Sequence, residues 1–315
     1  MSDIYLSVVV PVYNEQENIG EFYRRASAVL SATGKTYELI FTDDGSRDNS
    51  LEMLKSFASA DKHVKVIEFS RNFGQHAAVM AGLCASTGKI VVTLDADLQN
   101  PPEDIANLLA EMDEGYDYVG SIRRQRNDSA WRHVASRAMN HLRERITRIK
   151  MTDQGCMMRA YDRRIIDAIN QCSEMNTFIP ALAYTFAQRP TEIIVGHEER
   201  AAGESKYSLY SLIRLNFDLM TGFSVVPLQM FSMLGMLVAL GSGTLVLYLA
   251  GRRIFLGPEE GGLFTLFAIA FFLIGIALFG IGLLGEYVGR IYQEVRNRPR
   301  YLVQAVLEQQ DGSHG

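Results

Sequence analysis

Two stretches of this chain, residues 219–251 and 261–285, contain no Asp, Glu, Lys or Arg. Each is longer than the roughly 20 residues that suffice to cross a hydrocarbon core about 30 Å thick. A buried helix pair in a soluble protein is the competing reading, but uncharged runs of this length disfavour it. The sequence therefore predicts two spanning helices, about 227–250 and 263–285, behind a polar N-terminal region covering residues 1–205. Lys206 and Arg214 precede the first span, and Arg290, Arg296, Arg298 and Arg300 follow the second, which favours both ends on the cytoplasmic side. Arg252 and Arg253 in the connection weaken that bias. Met1-Ser2-Asp3 leads straight into Ile4–Val10, too short and wrongly flanked for a signal peptide, so the N-terminal region is expected to stay cytoplasmic.

Charge and cysteine usage narrow the partners. A formal net charge of −5 argues against nucleic acid. Cys84, Cys156 and Cys172 are odd in number and lack metal-type spacing, which fits a reduced compartment and disfavours zinc or a disulfide framework.

The first 120 residues alternate strand-like and helix-like runs. Strands are expected at 7–12, 37–42, 64–70 and 90–94, and helices from Glu15 to about Thr33 (capped by Asn14), over 48–59, up to Thr87, and from Pro101-Pro102 onward. That rhythm predicts βαβ units and a mainly parallel sheet. Each strand ends in polar groups: Tyr13-Asn14-Glu15, Asp43-Asp44, Arg71-Asn72 and Asp95-Ala96-Asp97. Ligands of open α/β sheets bind beyond the carboxyl ends of the strands, so this clustering points to a nucleotide site. No Gly-x-Gly-x-x-Gly follows the first strand and no Walker loop is present, which disfavours a dinucleotide oxidoreductase or a P-loop ATPase. Asp95 and Asp97, spaced to share one strand face, are two hard oxygen ligands suited to Mg2+ or Mn2+ shared with a diphosphate; a solvated strand end is the alternative.

From Arg123 to Lys150 the chain turns basic, which reads either as a solvated helix face or as a surface facing anionic lipid or a lipid phosphate. Residues 206–224 are expected to form an amphipathic helix lying in the membrane interface. Residues 286–315 are expected to form a cytoplasmic tail with a juxtamembrane helix. His76 and His197 read as structural histidines more readily than as reacting groups.

Pro11-Val12-Tyr13-Asn14-Glu15, Asp43-Asp44-Gly45-Ser46, Arg71-Asn72-Phe73-Gly74 and Asp95-Ala96-Asp97-Leu98-Gln99 together resemble family 2 glycosyltransferases of the GT-A fold. The two apolar runs, with Arg200 to Tyr207 before them, narrow the resemblance to the polyprenyl-phosphate glycosyltransferases. It covers nearly the whole chain. It implies an α/β, Rossmann-like catalytic domain followed by a two-helix transmembrane region with interfacial helices, in the inner membrane of a bacterium.

The resemblance also implies a UDP-sugar donor, undecaprenyl phosphate as acceptor, and Mg2+ or Mn2+ held by Asp95, Asp97 and Gln99. Pro11, Tyr13, Glu15, Asp44 and Asp95 are the implied nucleotide contacts. Asp153 and Asp97 are the implied catalytic carboxylates, with Asp153 open between a base, a positioning group and a loop cap. Arg123, Arg132, Arg200 and Lys206 are the candidates for holding the lipid phosphate. A lipid bilayer and a homo-oligomer, a tetramer by resemblance alone, complete the expected partners.

Within that family, Gly74-Gln75-His76, Asp153 to Tyr161, Thr177 to Pro180 and Gly203 to Ser208 point to 4-deoxy-4-formamido-L-arabinose as the sugar, in lipid A modification and polymyxin resistance. Gln154 stands where that pattern has Tyr, so a UDP-hexose is the alternative donor. Trp131 follows Asp128-Ser129-Ala130, not the Gln-x-x-Arg-Trp of processive polymerases, so single transfer is expected. A non-catalytic membrane scaffold or lipid-translocation partner is the reading from another class.

Overall fold

A computed structural model describes residues 4–123, 149–153, 155–172, 178–196, 221, 225–256, 263–296 and 298–309. Strand β1, Leu6–Val12, is buried along its whole length, as an apolar run covered on both faces must be. One face, Leu6, Val8, Val10 and Val12, shares a core with Ile19, Phe22, Ala26 and Leu30 of α1, Ile19–Ala32. Three more βα units follow. They comprise β2 (Tyr37–Asp43) with α2 (Ser50–Ala60), β3 (Val64–Phe69) with α3 (Gln75–Ala85), and β4 (Ile90–Thr93) with a 3-10 turn (Pro102–Asp104) and α4 (Ile105–Asp113).

The sheet is completed by β5 (Tyr118–Arg123), β6 (Arg159–Asp162), β7 (Pro190–Val195) and β8 (Val303–Glu308), in the order β7-β5-β6-β4-β1-β2-β3-β8. It is mainly parallel; β6 runs antiparallel to both β4 and β5, and β8 antiparallel to β3. Helices α5 (Arg163–Gln171) and α6 (Ile179–Phe186) lie between β6 and β7 in the chain.

Two sequence expectations shift. Asn14 does not cap α1: it takes a left-handed φ of 55°, and the helix begins at Ile19 after a turn in which Asn18 and Ile19 donate back to the Glu15 carbonyl. The tail expected to hold only a juxtamembrane helix also supplies a strand, because Val303–Glu308 finds the open edge of β3.

By its internal contacts the chain divides into two units. One contains the sheet and also takes in the tail after Asn297; the other contains two long helices, α7 (Val226–Leu256) and α8 (Leu263–Val295). Phe231 of α7 and Phe279 of α8 have ring centroids 5.7 Å apart, and Phe231 lies where a Gly280 side chain would stand. Among the described residues one stretch, Ile269–Tyr292, is long and apolar enough to cross a membrane, with a mean hydropathy of 2.2. Leu228–Val238 of α7 is apolar but shorter, so one of the two expected spans meets that measure. The expected interfacial helix over 206–224 falls almost wholly outside the described residues.

Candidate active site

The sheet order changes direction between β1 and β4: β2 and β3 extend from one side of β1, and β4 pairs on the other. Loops leaving the carboxyl ends of β1 and β4 therefore diverge, and the crevice between them is where open α/β sheets bind ligands. Tyr13 and Glu15 follow β1, Asp44 follows β2, and Asp95, Asp97 and Gln99 follow β4, so topology alone brings these expected site residues to one edge. Pro11 is the buried penultimate residue of β1.

The β1 and β2 loops are laced together by side chains. The Asn14 amide donates to Ser46 Oγ at 3.0 Å, Asn14 Oδ1 accepts from the Arg47 amide at 2.8 Å, and Ser50 Oγ accepts from the Glu15 amide at 2.8 Å. That lacing leaves the Tyr13 ring 40% exposed, a flat apolar face on which a base can stack. Glu15 Oε2 accepts from Asn18 Nδ2 at 2.7 Å.

Asp44 is 2% exposed and grips the next loop. Oδ1 accepts from the Phe73 amide at 2.6 Å and Oδ2 from the Gly74 amide at 2.9 Å. Burial raises its pKa above the usual carboxylate value, and the two amides pull against that rise. Neighbouring Asp43 accepts from the Ser46 amide through Oδ2, while its buried Oδ1 has no hydrogen-bond partner among the described residues. Asp43, read in the sequence as one of the polar strand ends but given no contact of its own, thus leaves a buried acceptor at this edge.

Gly45, between these loops, holds φ at +70°, and a Cβ there would meet the Arg71 carbonyl carbon at 2.6 Å. Gly45→Ala is therefore expected to lower stability by about 2 kcal/mol or more, from left-handed strain plus the clash. Thermal unfolding reads this directly, and an unchanged midpoint would contradict the geometry.

Asp95 and Asp97 were expected on one face of a strand, but β4 ends at Thr93. They lie instead in a turn where Leu98 takes φ of 60°, a left-handed value rare for a large side chain. Both carboxylates are half-buried. Gln75 Nε2, at the start of α3, donates to Asp95 Oδ1 at 2.6 Å, and Asp97 Oδ1 accepts from the Gln99 amide at 3.1 Å. Gln75, noted in the sequence only within Gly74-Gln75-His76 and given no role there, thus joins the candidate site. The donor set of two carboxylates and a glutamine fits a hard divalent ion. No third Asp, Glu, His or Cys joins them among the described residues, which suits an ion taking its remaining ligands from water and phosphate oxygens.

Asp153 reaches the same edge by a different route. Because β6 is antiparallel to β4, with Thr93 opposite Arg159, the segment before β6 lies at the carboxyl end of β4. Thr93 Oγ1 donates to the Met157 carbonyl at 2.6 Å, and Cys156 Sγ lies 3.6 Å from Asn100 Oδ1, joining this segment to the loop of Asp95 and Asp97. Asp153 is 7% exposed, and its Oδ1 accepts from the Gly155 amide at 3.0 Å, so it does cap its own loop.

Next to this loop is Arg159, which is fully buried and which enters the sequence reading only within the run Asp153 to Tyr161, with no role of its own. Its Nη2 donates to the Asp153 carbonyl at 2.7 Å, its Nε to the Cys156 carbonyl at 3.0 Å, and its Nη1 to the Tyr118 hydroxyl. A charge inside the apolar run Met157-Met158-Arg159-Ala160-Tyr161 was the available signal.

Arg123 ends β5, which is parallel to β4, and so stands at the same edge. Arg132, Gln154, His197, Arg200 and Lys206, and nearly all of the basic run, lie outside the described residues.

The family model for glycosyl transferase family 2 matches residues 7–169, just over half of the chain. Among solved structures, glucosyl-3-phosphoglycerate synthase from Mycobacterium tuberculosis, in complex with Mn2+, UDP and phosphoglyceric acid, is 19% identical. That match covers 69% of this chain and 76% of the synthase, with a TM-score of 0.50. TarS 1–349 from S. aureus is 18% identical with a TM-score of 0.43; the match covers 69% of this chain and 65%, less than two thirds, of that one.

Proposed function

The chain belongs to glycosyl transferase family 2, and from that premise we propose that it transfers a sugar from UDP to a polyprenyl phosphate at a membrane surface, inverting the anomeric centre. The observation that carries this reading is that Tyr13, Glu15, Asp44, Asp95 and Asp97 all follow the carboxyl ends of β1, β2 and β4, at and beside the switch in strand order. An aromatic face and carboxylates suit a base and a ribose, and the paired carboxylates suit a diphosphate-bound ion. The synthase crystallised with Mn2+ and UDP has the same fold class, which agrees with this use of the edge.

In the proposed reaction an oxygen of the lipid phosphate attacks the anomeric carbon as the bond to the UDP oxygen breaks. Mg2+ or Mn2+ held by Asp95, Asp97 and Gln99 would neutralise charge on the leaving diphosphate. Gln75, by donating to Asp95, fixes the direction of that carboxylate. A phosphomonoester has its second pKa at about 6, so the nucleophile is mostly dianionic at neutral pH and needs little help from a base. Asp153, its loop pinned by Arg159, then serves best as a positioning carboxylate beside sugar or acceptor. Arg123, with Arg132, Arg200 and Lys206, would hold the acceptor phosphate.

A membrane setting is supported by the second unit. Leu247 is 76% exposed, Phe255 86%, and Phe271 and Phe272 more than 60%, a surface too apolar for water. With Ile269–Tyr292 as one span and α7 as the other, residues 1–205 and the tail would lie on the cytoplasmic face of a bacterial inner membrane, where a polyprenyl acceptor is held. Homo-oligomer formation through these helices is part of the same proposal.

For the sugar we propose 4-deoxy-4-formamido-L-arabinose, on the strength of the sequence resemblance, with undecaprenyl phosphate as acceptor. Gln154 favours a second reading with UDP-glucose or another hexose. A donor panel separates them: selective product from the formylated pentose supports the first, and preference for UDP-glucose overturns it. Chelation with EDTA is expected to stop transfer, and added Mn2+ or Mg2+ to restore it; full activity in EDTA would reject the metal assignment.

A further inference from the structure

The tail strand β8 closes the sheet edge at β3, the strand that leads into the Arg71–Gly74 loop. It pairs antiparallel with β3 from Lys65 opposite Glu308 to Phe69 opposite Val303, with an irregularity between Glu68 and Phe69. The Ser70 amide extends the pairing by donating to the Leu302 carbonyl at 3.1 Å, and Lys65 and Glu308 form an ion pair at 3.2 Å. Covering an edge strand is reason enough for such a tail to exist. The side chains at its start do more.

Tyr301 stacks on Phe69, with ring centroids 4.9 Å apart and planes 15° from parallel. Phe69 meets the ring of Phe73 edge-on at 5.7 Å, and the Arg71 guanidinium lies over the Phe73 ring, 4.5 Å from its centroid. Phe73 and Gly74 are the residues whose amides hold the two oxygens of Asp44. Arg300 anchors the approach by donating from Nη2 to the Cys172 carbonyl at 2.6 Å. An unbroken line of contacts thus runs from the tail, through Tyr301, Phe69 and Phe73, to the carboxylate of Asp44.

We propose that the C-terminal strand, through Tyr301, is a positioning element of the nucleotide site: its docking orders the Arg71–Gly74 loop and so sets Asp44 for the donor. This rests on the reading of Asp44 as a donor contact. It predicts that nucleotide affinity depends on a residue far along the chain from every nucleotide motif, while the reacting edge at Asp97 and Asp153 does not.

The test uses the full-length protein in detergent and the variants Tyr301→Ala and Tyr301→Phe. Tyr301→Ala is expected to weaken UDP binding about tenfold by calorimetry, the scale of one lost aromatic pair. It should raise the donor KM with little change in kcat, and Tyr301→Phe should restore wild-type affinity. Amide hydrogen exchange supplies a readout independent of UDP: protection at Phe73 and Gly74 should fall in Tyr301→Ala, with protection in β1 unchanged. A lower unfolding temperature with unchanged exchange at these two amides, or with unchanged UDP affinity, would reduce the tail to an edge cover and overturn the inference. Failure of the wild-type protein to bind UDP, with the exchange result as expected, would instead overturn the donor reading while leaving the loop-ordering role standing.

Discussion

Asp97→Asn is expected to lower transfer by about a thousandfold or more while leaving stability within about 0.5 kcal/mol of the parent. The two effects separate because of where Asp97 sits. It lies half-buried in the turn beyond β4, outside the core, and its Oδ1 accepts from the Gln99 amide. Asparagine retains an oxygen for that bond and removes the negative charge a divalent ion needs. A transfer assay beside thermal unfolding checks both halves. Undiminished turnover would reject the role of Asp97, and a large loss of stability would show that activity fell for want of a fold.

Arg159→Met should have the opposite signature, a loss of stability of about 3 kcal/mol or more. The guanidinium serves the Asp153 carbonyl, the Cys156 carbonyl and the Tyr118 hydroxyl in a place water does not reach. Methionine fills much of the volume but removes all three donated hydrogen bonds, at about 1–3 kcal/mol each, offset in part because a charge is no longer buried. Tyr118→Phe removes one of the three contacts and should cost about a third as much. Denaturant unfolding measures the pair; equal and small losses would mean that the loop carrying Asp153 does not depend on Arg159.

The part of the fold legible in the sequence was the part with strong local periodicity. Leu6–Val12, Tyr37–Asp43 and Ile90–Thr93 are apolar, β-branched runs ended by acidic and amide groups, and those ends make the candidate site. What the sequence hid depends on long-range pairing. β8 is a six-residue segment whose alternation is weak and whose partner lies over 200 residues earlier. Arg159 carried one signal, a charge within an apolar run, but its partners depend on β6 standing between β4 and β5. Gln75 was visible in the sequence only within Gly74-Gln75-His76, and its bond to Asp95, 20 residues on, is a tertiary contact that no local pattern marks. Leu98 and Asn14 escape for a related reason: a left-handed backbone at a residue other than glycine leaves no mark on composition.

The most direct test of the account is transfer by the purified full-length protein in detergent, from a radiolabelled UDP-sugar with Mn2+, in the presence and absence of undecaprenyl phosphate. A lipid-extractable labelled product that requires undecaprenyl phosphate and releases one UDP per sugar is the predicted result. UDP release of equal rate without the lipid, or no product from any UDP-sugar in the panel, would contradict the central claim.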